Sequence, residues 1–176
     1  VANASANAAA LTPPDNKLVW GRWSSYVNNP QGGAPAVAAL LGGREVTFGN
    51  EIFGLLRDVG PVRMPSEGQF SFRLAGSESY VLSGKTVAGA QVQSGSFSID
   101  FLSRVFDTTL KVAHGNGVES LYASGQVQFQ GLLFVNEQKS NMNVAGAVSG
   151  GGSEAAYLFD KALSGGGLLG AVRWVR

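Results

Sequence analysis

Apolar and polar residues alternate along most of this chain. The clearest example is the stretch 95–101, "GSFSIDF", in which Phe97, Ile99 and Phe101 alternate with serine and aspartate. The stretch 105–113, "VFDTTLKVA", repeats the pattern, and a two-residue period is typical of a strand with one buried face. Further alternating stretches, separated by glycine-rich turns, follow to the end of the chain. The pattern predicts a meander of about eight strands.

A meander of this length favours a closed barrel, because closure removes the exposed edges of the sheet. We predict an all-β fold: an up-and-down antiparallel barrel of about eight strands with a short helix or plug segment near one end. A two-sheet sandwich is the alternative that the same pattern allows. "VWGRW" (19–23) and "AVRWV" (171–175) are similar in composition, so we expect them to pair as the first and last strands.

Large apolar side chains are expected to fill the barrel, as small barrels require. The residues expected to point inward are Phe97, Ile99, Phe101, Phe106, Phe129 and Leu158. The long irregular stretch 28–65 contains two short helix candidates, 34–41 and 50–57. This stretch is too apolar to stay solvated, so we expect it to pack across one barrel mouth as a plug.

Composition limits the domain organisation and the classes of partner. A chain of 176 residues suits one domain. The start, "VANASANAAALTPPDN" (1–16), is rich in Ala, Asn and Ser, and we expect it to be the tail of a linker from a longer protein. Residues 17–176 are expected to form a single β-barrel domain. A net charge of +1 predicts no nucleic-acid partner, and no apolar run approaches the roughly 18 residues of a transmembrane helix.

Catalytic and metal-binding residue types are scarce. The chain has no cysteine and one histidine. His114 lies in "AHGNGVE", among turn-forming residues, so we expect it to face solvent near a loop tip. Asp100 and Asp107 flank one hairpin, but both fall on the polar phase of their strands, and we expect them to be solvated rather than a catalytic pair. We therefore predict no enzyme, no cofactor and no metal site.

The stretch 143–163, "NVAGAVSGGGSEAAYLFDKAL", joins two apolar runs through a glycine-rich bend. A phosphate-binding glycine loop leads from a strand into a helix and supplies a lysine, whereas this bend leads through Glu154 into "AAYLF". An anion-binding nest at the glycines is the alternative. We expect two strands and a bend.

Three stretches of the second half follow the pattern of a known family: "SGSFSIDFLSRVFDTTLKV", "LYASGQVQFQGLLFV" and "NVAGAVSGGGSEAAYLFD". Residues 95–174 resemble the C-terminal β-barrel of transferrin-binding-protein-B-like and factor-H-binding-protein-like bacterial surface proteins. Four residues fall in register with the glycine-rich motif of that family: Gly146, Gly150, Glu154 and Phe159. The Phe-Tyr pair of the motif is replaced by Val148-Ser149. The resemblance implies that Glu154 is a structural residue at the bend.

The resemblance also implies a location in the bacterial cell envelope, in the periplasm or on the cell surface, or secretion. "VWGRW" and "FGLLR" are similar, more weakly, to C-terminal regions of FecR-like envelope proteins. We predict a non-catalytic module that mediates protein binding or assembly. The alternatives are a lipocalin-like barrel that binds a small apolar ligand and a periplasmic signalling module of a FecR-like regulator.

Binding residues are expected in the long irregular stretch, because functional contacts concentrate on loops held by a rigid scaffold. The residues expected to contact an unidentified protein partner are Arg44, Phe48, Glu51 and Arg57.

Overall fold

A computed structural model describes residues 17–23 and 33–176. The described residues form eleven strands and three short 3-10 turns, and β4 to β11 close into an antiparallel barrel in chain order. The strands are β1 (Leu18–Arg22), β2 (Arg44–Gly49), β3 (Phe53–Asp58), β4 (Gln69–Ser83), β5 (Thr86–Asp100), β6 (Val105–His114), β7 (Gly117–Val127), β8 (Leu132–Val135), β9 (Asn143–Val148), β10 (Glu154–Leu163) and β11 (Gly166–Val175). The predicted fold class, an eight-stranded up-and-down barrel, is confirmed.

The barrel closes between β4 and β11. Trp174 lies opposite Leu74 in this pairing, with a bulge beside it. The expected closure of "VWGRW" against "AVRWV" is wrong, because "VWGRW" contributes β1 to a separate antiparallel sheet with the order β1-β3-β2. Trp20 of β1 lies opposite Leu55 of β3. The predicted linker, 1–16, lies outside the described residues, and the single-domain division stays a prediction.

The barrel interior is filled by aromatic side chains. The ring centroid of Phe97 lies 5.2 Å from that of Phe72 and 5.6 Å from that of Trp174. The rings of Tyr157 and Phe106 are 6.0 and 6.1 Å away. All five residues belong to one buried cluster. An eight-stranded barrel has room for such a core, and this interior is occupied by its own side chains.

Two residues that were expected inside the barrel lie elsewhere. Phe129 is 76% exposed at the tip of the turn between β7 and β8. The Gly131 N–H donates to the Gln128 carbonyl over 2.8 Å and closes that turn, and Phe129, the first of the two residues between them, projects outward. Leu158 is buried, but it packs with the β1-β3-β2 sheet on the outer wall of the barrel.

Residues 61–68 cover one end of the barrel. Met64 packs against the interior cluster. The N–H of Gly151, in the turn between β9 and β10, donates to a carbonyl of this segment over 2.7 Å. The N–H of Phe101, in the turn between β5 and β6, donates to another over 2.9 Å. The segment therefore bridges turns at the same barrel end. The expectation that 28–65 packs across a barrel mouth is wrong for most of its described part, which contributes β2 and β3 to the separate sheet; only 61–65 belongs to the covering segment.

Neither helix candidate forms an α-helix. The stretch 34–41 contains a single 3-10 turn, Val37–Leu40. The stretch 50–57 contains the β2–β3 turn and most of β3.

The opposite barrel end carries two-residue hairpin turns and the histidine. The side chain of His114 is only 6% exposed, and its Nε2 lies 3.2 Å from Oε1 of Glu119. The N–H of Asn116 donates to His114 Nδ1 over 3.3 Å. The expectation of a solvent-facing histidine is wrong. His114 follows Val112 by two residues and therefore lies on the same, inward face of β6.

Replacing Phe97 with alanine should lower the free energy of unfolding by about 3 to 5 kcal/mol, because a cavity would replace a ring that packs against four others. The matched change Phe129→Ala should alter it by less than about 0.5 kcal/mol, since that ring lies in solvent. Urea denaturation measures both values. Equal losses for the two variants would contradict the inward and outward placements.

Candidate functional site: the outer sheet and its anchor

One half of the barrel wall is covered by the β1-β3-β2 sheet, which we call the outer sheet. The covered wall consists of the outward faces of β9, β10, β11 and β4. Apolar residues of both layers form one buried cluster. The outer sheet and its loops contribute Leu18, Trp20, Ile52, Phe53 and Leu55, and the wall contributes Tyr80, Ala147, Ala156, Leu158, Leu169 and Ala171. Because β10 and β11 are buried on both faces, their sequences are almost continuously apolar.

A buried carboxylate holds the outer sheet on the wall. Glu78 of β4 is 1% exposed. Its Oε1 accepts hydrogen bonds from Trp20 Nε1 over 3.0 Å and from the Ala34 N–H over 2.8 Å. Its Oε2 accepts from the Tyr80 hydroxyl over 2.7 Å. Two of these donors belong to the outer-sheet region and one to the wall, so the carboxylate connects the two layers.

Arg22 supplies the positive charge that compensates this buried carboxylate. Its Nε lies 4.0 Å from Glu78 Oε2 and donates to the Ala34 carbonyl over 2.8 Å. Gly33 has a φ of +121°, and a Cβ there would lie 2.2 Å from Glu78 Oε2. Only glycine allows the chain to pass this close to the carboxylate. We call Glu78, Trp20, Arg22, Ala34 and Tyr80 the Glu78 anchor.

A second buried carboxylate fixes the glycine-rich bend. Glu154 Oε1 accepts from Arg173 Nε over 3.1 Å and also pairs with the Nη2 of that residue. The Lys17 N–H donates to Glu154 Oε2 over 3.4 Å. The N–H groups of Gly151 and Gly152 bond to carbonyl oxygens of the chain, so neither is available for an anion. The expected bend with a structural Glu154 is confirmed.

The face of the outer sheet that points away from the barrel carries an exposed apolar surface. Val46 is 42% exposed and lies opposite Leu56, which packs on the side away from the barrel. Arg44 Nε lies 3.4 Å from Asp58 Oδ1 across the same pair of strands. Leu41 and Val59 are 46% and 63% exposed beside this ion pair. We call Leu41, Arg44, Val46, Asp58 and Val59 the outer patch.

The structure does not bring the four sequence-predicted contact residues together. Arg44 belongs to the outer patch, and Glu51 is exposed in the β2–β3 turn at the other end of the hairpin. Phe48 is half-buried and packs toward the barrel wall. Arg57 is 7% exposed. Sequence reasoning missed Val46, whose exposure follows from its position on a strand that has a partner on only one side among the described residues.

Arg57 connects the outer sheet to the barrel from the buried side. One Nη1 hydrogen bond runs to the Gln130 carbonyl over 2.7 Å and another to the Val148 carbonyl over 3.4 Å. Burial lowers the pKa of the Arg57 guanidinium, and the charge of Glu45 partly offsets this effect. The side chain therefore supports the outer sheet from beneath.

Asp100 and Asp107 line one depression on the uncovered barrel wall. Asp100 is held by the N–H of Ser103, and this bond lowers the pKa of its carboxyl group, with contributions from Gln69 and Leu102. An acid held ionised in this way is a poor proton donor. Among the described residues, no cluster of three or more side chains suits a metal ion. No helix in the described part of the chain is long and apolar enough to span a membrane.

A scan of protein-family models and a search of curated proteins found no match. Several solved structures are similar to this chain, among them the following three. Intact Ap-TbpB, with its N and C lobes, aligns with a TM-score of 0.46 and 15% identity, over 72% of this chain and 30% of that chain. A surface lipoprotein aligns with a TM-score of 0.44 and 9% identity, over 75% of this chain and 72% of that chain.

The third structure is the isotype 1 transferrin binding protein B from serogroup B Neisseria meningitidis, with a TM-score of 0.43 and 13% identity, over 73% of this chain and 35% of that chain. This chain thus spans about a third of the length of the two transferrin-binding proteins. Two of these three structures are transferrin-binding proteins B, the group whose C-terminal barrel residues 95–174 resemble. Similarity at these TM-scores carries no information about binding, so the proposed function rests on this chain's own residues.

The change Glu78→Gln should lower the free energy of unfolding by about 3 to 5 kcal/mol, because it leaves the Arg22 charge buried without its counter-charge. Glu67→Gln, an exposed change of the same type, should alter it by less than about 0.5 kcal/mol. Urea titration of both variants gives the values. A Glu78→Gln protein as stable as the wild type would show that the carboxylate does not anchor the outer sheet.

Alkaline pH should destabilise the protein through two buried tyrosines. Burial raises the pKa of Tyr80, with the charge of Glu78 adding to the effect, and burial raises the pKa of Tyr157. Unfolded tyrosine ionises near pH 10 (about its ordinary pKa) while these folded ones stay protonated, so unfolding releases protons and stability falls as the pH rises further. Phenolate absorbance and near-ultraviolet circular dichroism, followed together, should show two tyrosines that ionise only on unfolding, and Tyr80→Phe or Tyr157→Phe should each remove one. Complete ionisation in a folded wild-type protein would contradict this.

Proposed function

We propose that this chain is a non-catalytic module of a bacterial envelope or secreted protein, and that it binds a protein partner through the outer patch. The observation that carries the proposal is a group of three exposed apolar side chains near an ion pair, on a sheet that is anchored to a filled barrel. Large exposed apolar side chains that lie together are typical of protein interfaces. The envelope or secreted location is supported by the resemblance of residues 95–174.

The chemistry of the outer patch indicates the kind of partner. Leu41, Val46 and Val59 offer apolar side chains, and the Arg44–Asp58 pair offers an exposed carboxylate with a largely buried cation beside it. A partner surface with an apolar centre and a complementary ion pair would fit this arrangement. Arg44 is the proposed contact residue within the patch.

The other three sequence-predicted residues have separate roles in the proposal. Glu51, exposed in the β2–β3 turn, is proposed to contact the same partner at the far end of the hairpin. Phe48 and Arg57 are proposed to act from beneath, by holding the outer sheet in place.

A small apolar ligand inside the barrel is less well supported than a protein partner. The Phe97 cluster occupies the interior, and residues 61–68 cover one mouth. No feature of the described residues favours the FecR-like signalling alternative.

Photo-cross-linking tests the proposed face. A photoreactive amino acid at Val46 should form a discrete cross-link to one partner in the envelope fraction of the source organism, because the patch would be covered in the complex. The same amino acid at Val118, which is 56% exposed on β7, should form none. Added Arg44→Ala or Glu51→Ala should weaken the Val46 cross-link severalfold. The melting temperature should stay nearly unchanged in Glu51→Ala, since an exposed charge contributes at most about 1 kcal/mol, whereas Arg44→Ala should also lower it, because the Arg44 side chain is only 12% exposed.

Equal cross-linking at the two positions, or none at Val46, would contradict the proposal. Arg57→Ala is unsuitable as a contact variant, because it would leave two backbone carbonyls without a donor and destabilise the sheet itself.

A further inference from the structure

The half of the barrel wall that the outer sheet leaves uncovered carries a continuous trough. Three depressions of about 560, 640 and 320 Å³ lie side by side at the end covered by residues 61–68. The first and second share Ser103, the first and third share Val105, and the second and third share Gln126. Because they share walls, they form one trough from β4 to β8. Four strand spacings make it roughly 19 Å long.

Hydrogen-bonding side chains without a net charge line this trough. Two carboxylates, Asp100 and Asp107, are balanced by two cations, Arg104 and Lys139. The remaining polar lining consists of hydroxyl and amide groups, and the amides are Gln69, Gln126, Gln128, Gln130 and Asn136. A phosphate-rich ligand would require an excess of cations, which this lining does not have. The trough therefore suits a neutral ligand with many hydroxyl groups.

Exposed phenyl rings stand beside these polar groups. Phe129 is 76% exposed, and Phe134 is 45% exposed. The guanidinium carbon of Arg104 lies 3.6 Å from the centroid of the Phe129 ring. The Arg104 guanidinium covers one face of the Phe129 ring and fixes its orientation. Because the side chain is 76% exposed, the other face is open to solvent. A fixed, open phenyl face is a platform for a flat apolar surface.

Arg104, the last residue of the β5–β6 turn, has a left-handed backbone conformation. Its φ of 59° is the only positive value at a non-glycine residue among those described. A left-handed conformation is costly for a side chain of this kind, and such strain concentrates at ligand sites. Glycine would remove the strain, but it would also remove the guanidinium that fixes Phe129.

We propose that the trough binds a neutral oligosaccharide. A sugar ring would place its C–H face on the open side of Phe129, and its hydroxyls would bond to the amides and carboxylates along the trough. Sugars combine uncharged hydroxyl groups with apolar ring faces, which is the combination that this lining matches.

Asp100 is fixed in place for such contacts. Its Oδ1 accepts from the N–H groups of Leu102, over 2.9 Å, and Ser103, over 3.2 Å. These bonds orient the carboxylate at the trough wall and keep it an acceptor for hydroxyl donors.

Maltotetraose, cellotetraose and tetraacetyl-chitotetraose are suitable probes. Backbone amide shifts, followed by ¹H–¹⁵N NMR, should respond to at least one of them, and only at residues of the trough. Phe129→Ala should weaken that binding by roughly tenfold or more, as expected for truncation of an aromatic anchor. The matched control is Tyr122→Ala, which removes a ring that is 52% exposed on β7 outside the trough, and binding should be unchanged.

Arg104→Gly separates a structural from a binding role for the strained residue. It should raise the melting temperature, because the strain is removed, and weaken oligosaccharide binding, because the ring is no longer fixed. The proposal would be overturned by any of three results: no shift with any probe, shifts outside the trough, or equal effects of Phe129→Ala and Tyr122→Ala. Phe129→Ala should leave cross-linking at Val46 unchanged whether or not the trough binds an oligosaccharide. The NMR test is therefore independent of the protein-binding proposal.

Discussion

The buried carboxylate of Glu78 is the constraint on which the arrangement of the two layers depends. A carboxylate that is 1% exposed must be compensated by hydrogen bonds and a counter-charge, because burial of an unpaired charge costs on the order of several kcal/mol. Trp20, Arg22 and Ala34 supply this compensation, and all three come from the outer-sheet region. The hydrogen bonds and the counter-charge of Glu78 are therefore complete only when the outer sheet is in place. The cost of burying the charge selects this one position of the sheet over others that would bury a similar apolar area.

This constraint divides the barrel into two unlike halves. On the covered half, β10 and β11 alternate between two apolar environments, the interior and the outer sheet. On the uncovered half, the outward positions carry polar residues, as in Asp107 opposite Ser98 and Ser124. A binding surface on each half can therefore differ in chemistry without affecting the other, since the filled interior separates them.

Period-two alternation predicted the strands, and the need to remove sheet edges predicted their closure into a barrel. The alternation worked best where one strand face meets solvent. In β5 and β6, polar and apolar positions separate cleanly, so the inward placement of Phe97 and Phe106 could be predicted. Alternation says nothing about which strands pair, and the similar composition of β1 and β11 gave the wrong closure. In β10, with both faces buried, it could not show that Leu158 points outward.

The candidate surfaces were harder to predict than the fold, because each depends on long-range packing. Arg57 looked like an exposed cation in the sequence, but its carbonyl partners lie in the β7–β8 turn and at the end of β9. Phe129 looked like a core residue, but the tight turn closed by Gly131 places it in solvent. His114 looked like a turn residue, but the inward phase of β6 extends to it. In all three cases a local signal was overridden by the register of a strand or turn.

The position of the covered wall in the chain has a consequence for synthesis. The outer sheet is encoded before the barrel, but three of the four strands on which it packs, β9, β10 and β11, are made after the other described strands. Tyr80 of β4 covers only part of the outer sheet, through its ring contact with Phe53. The nascent chain must therefore carry a partly uncovered apolar sheet until β9, β10 and β11 emerge, which is a state that invites aggregation. Completion of the final strand ends that exposure and closes the barrel in the same step.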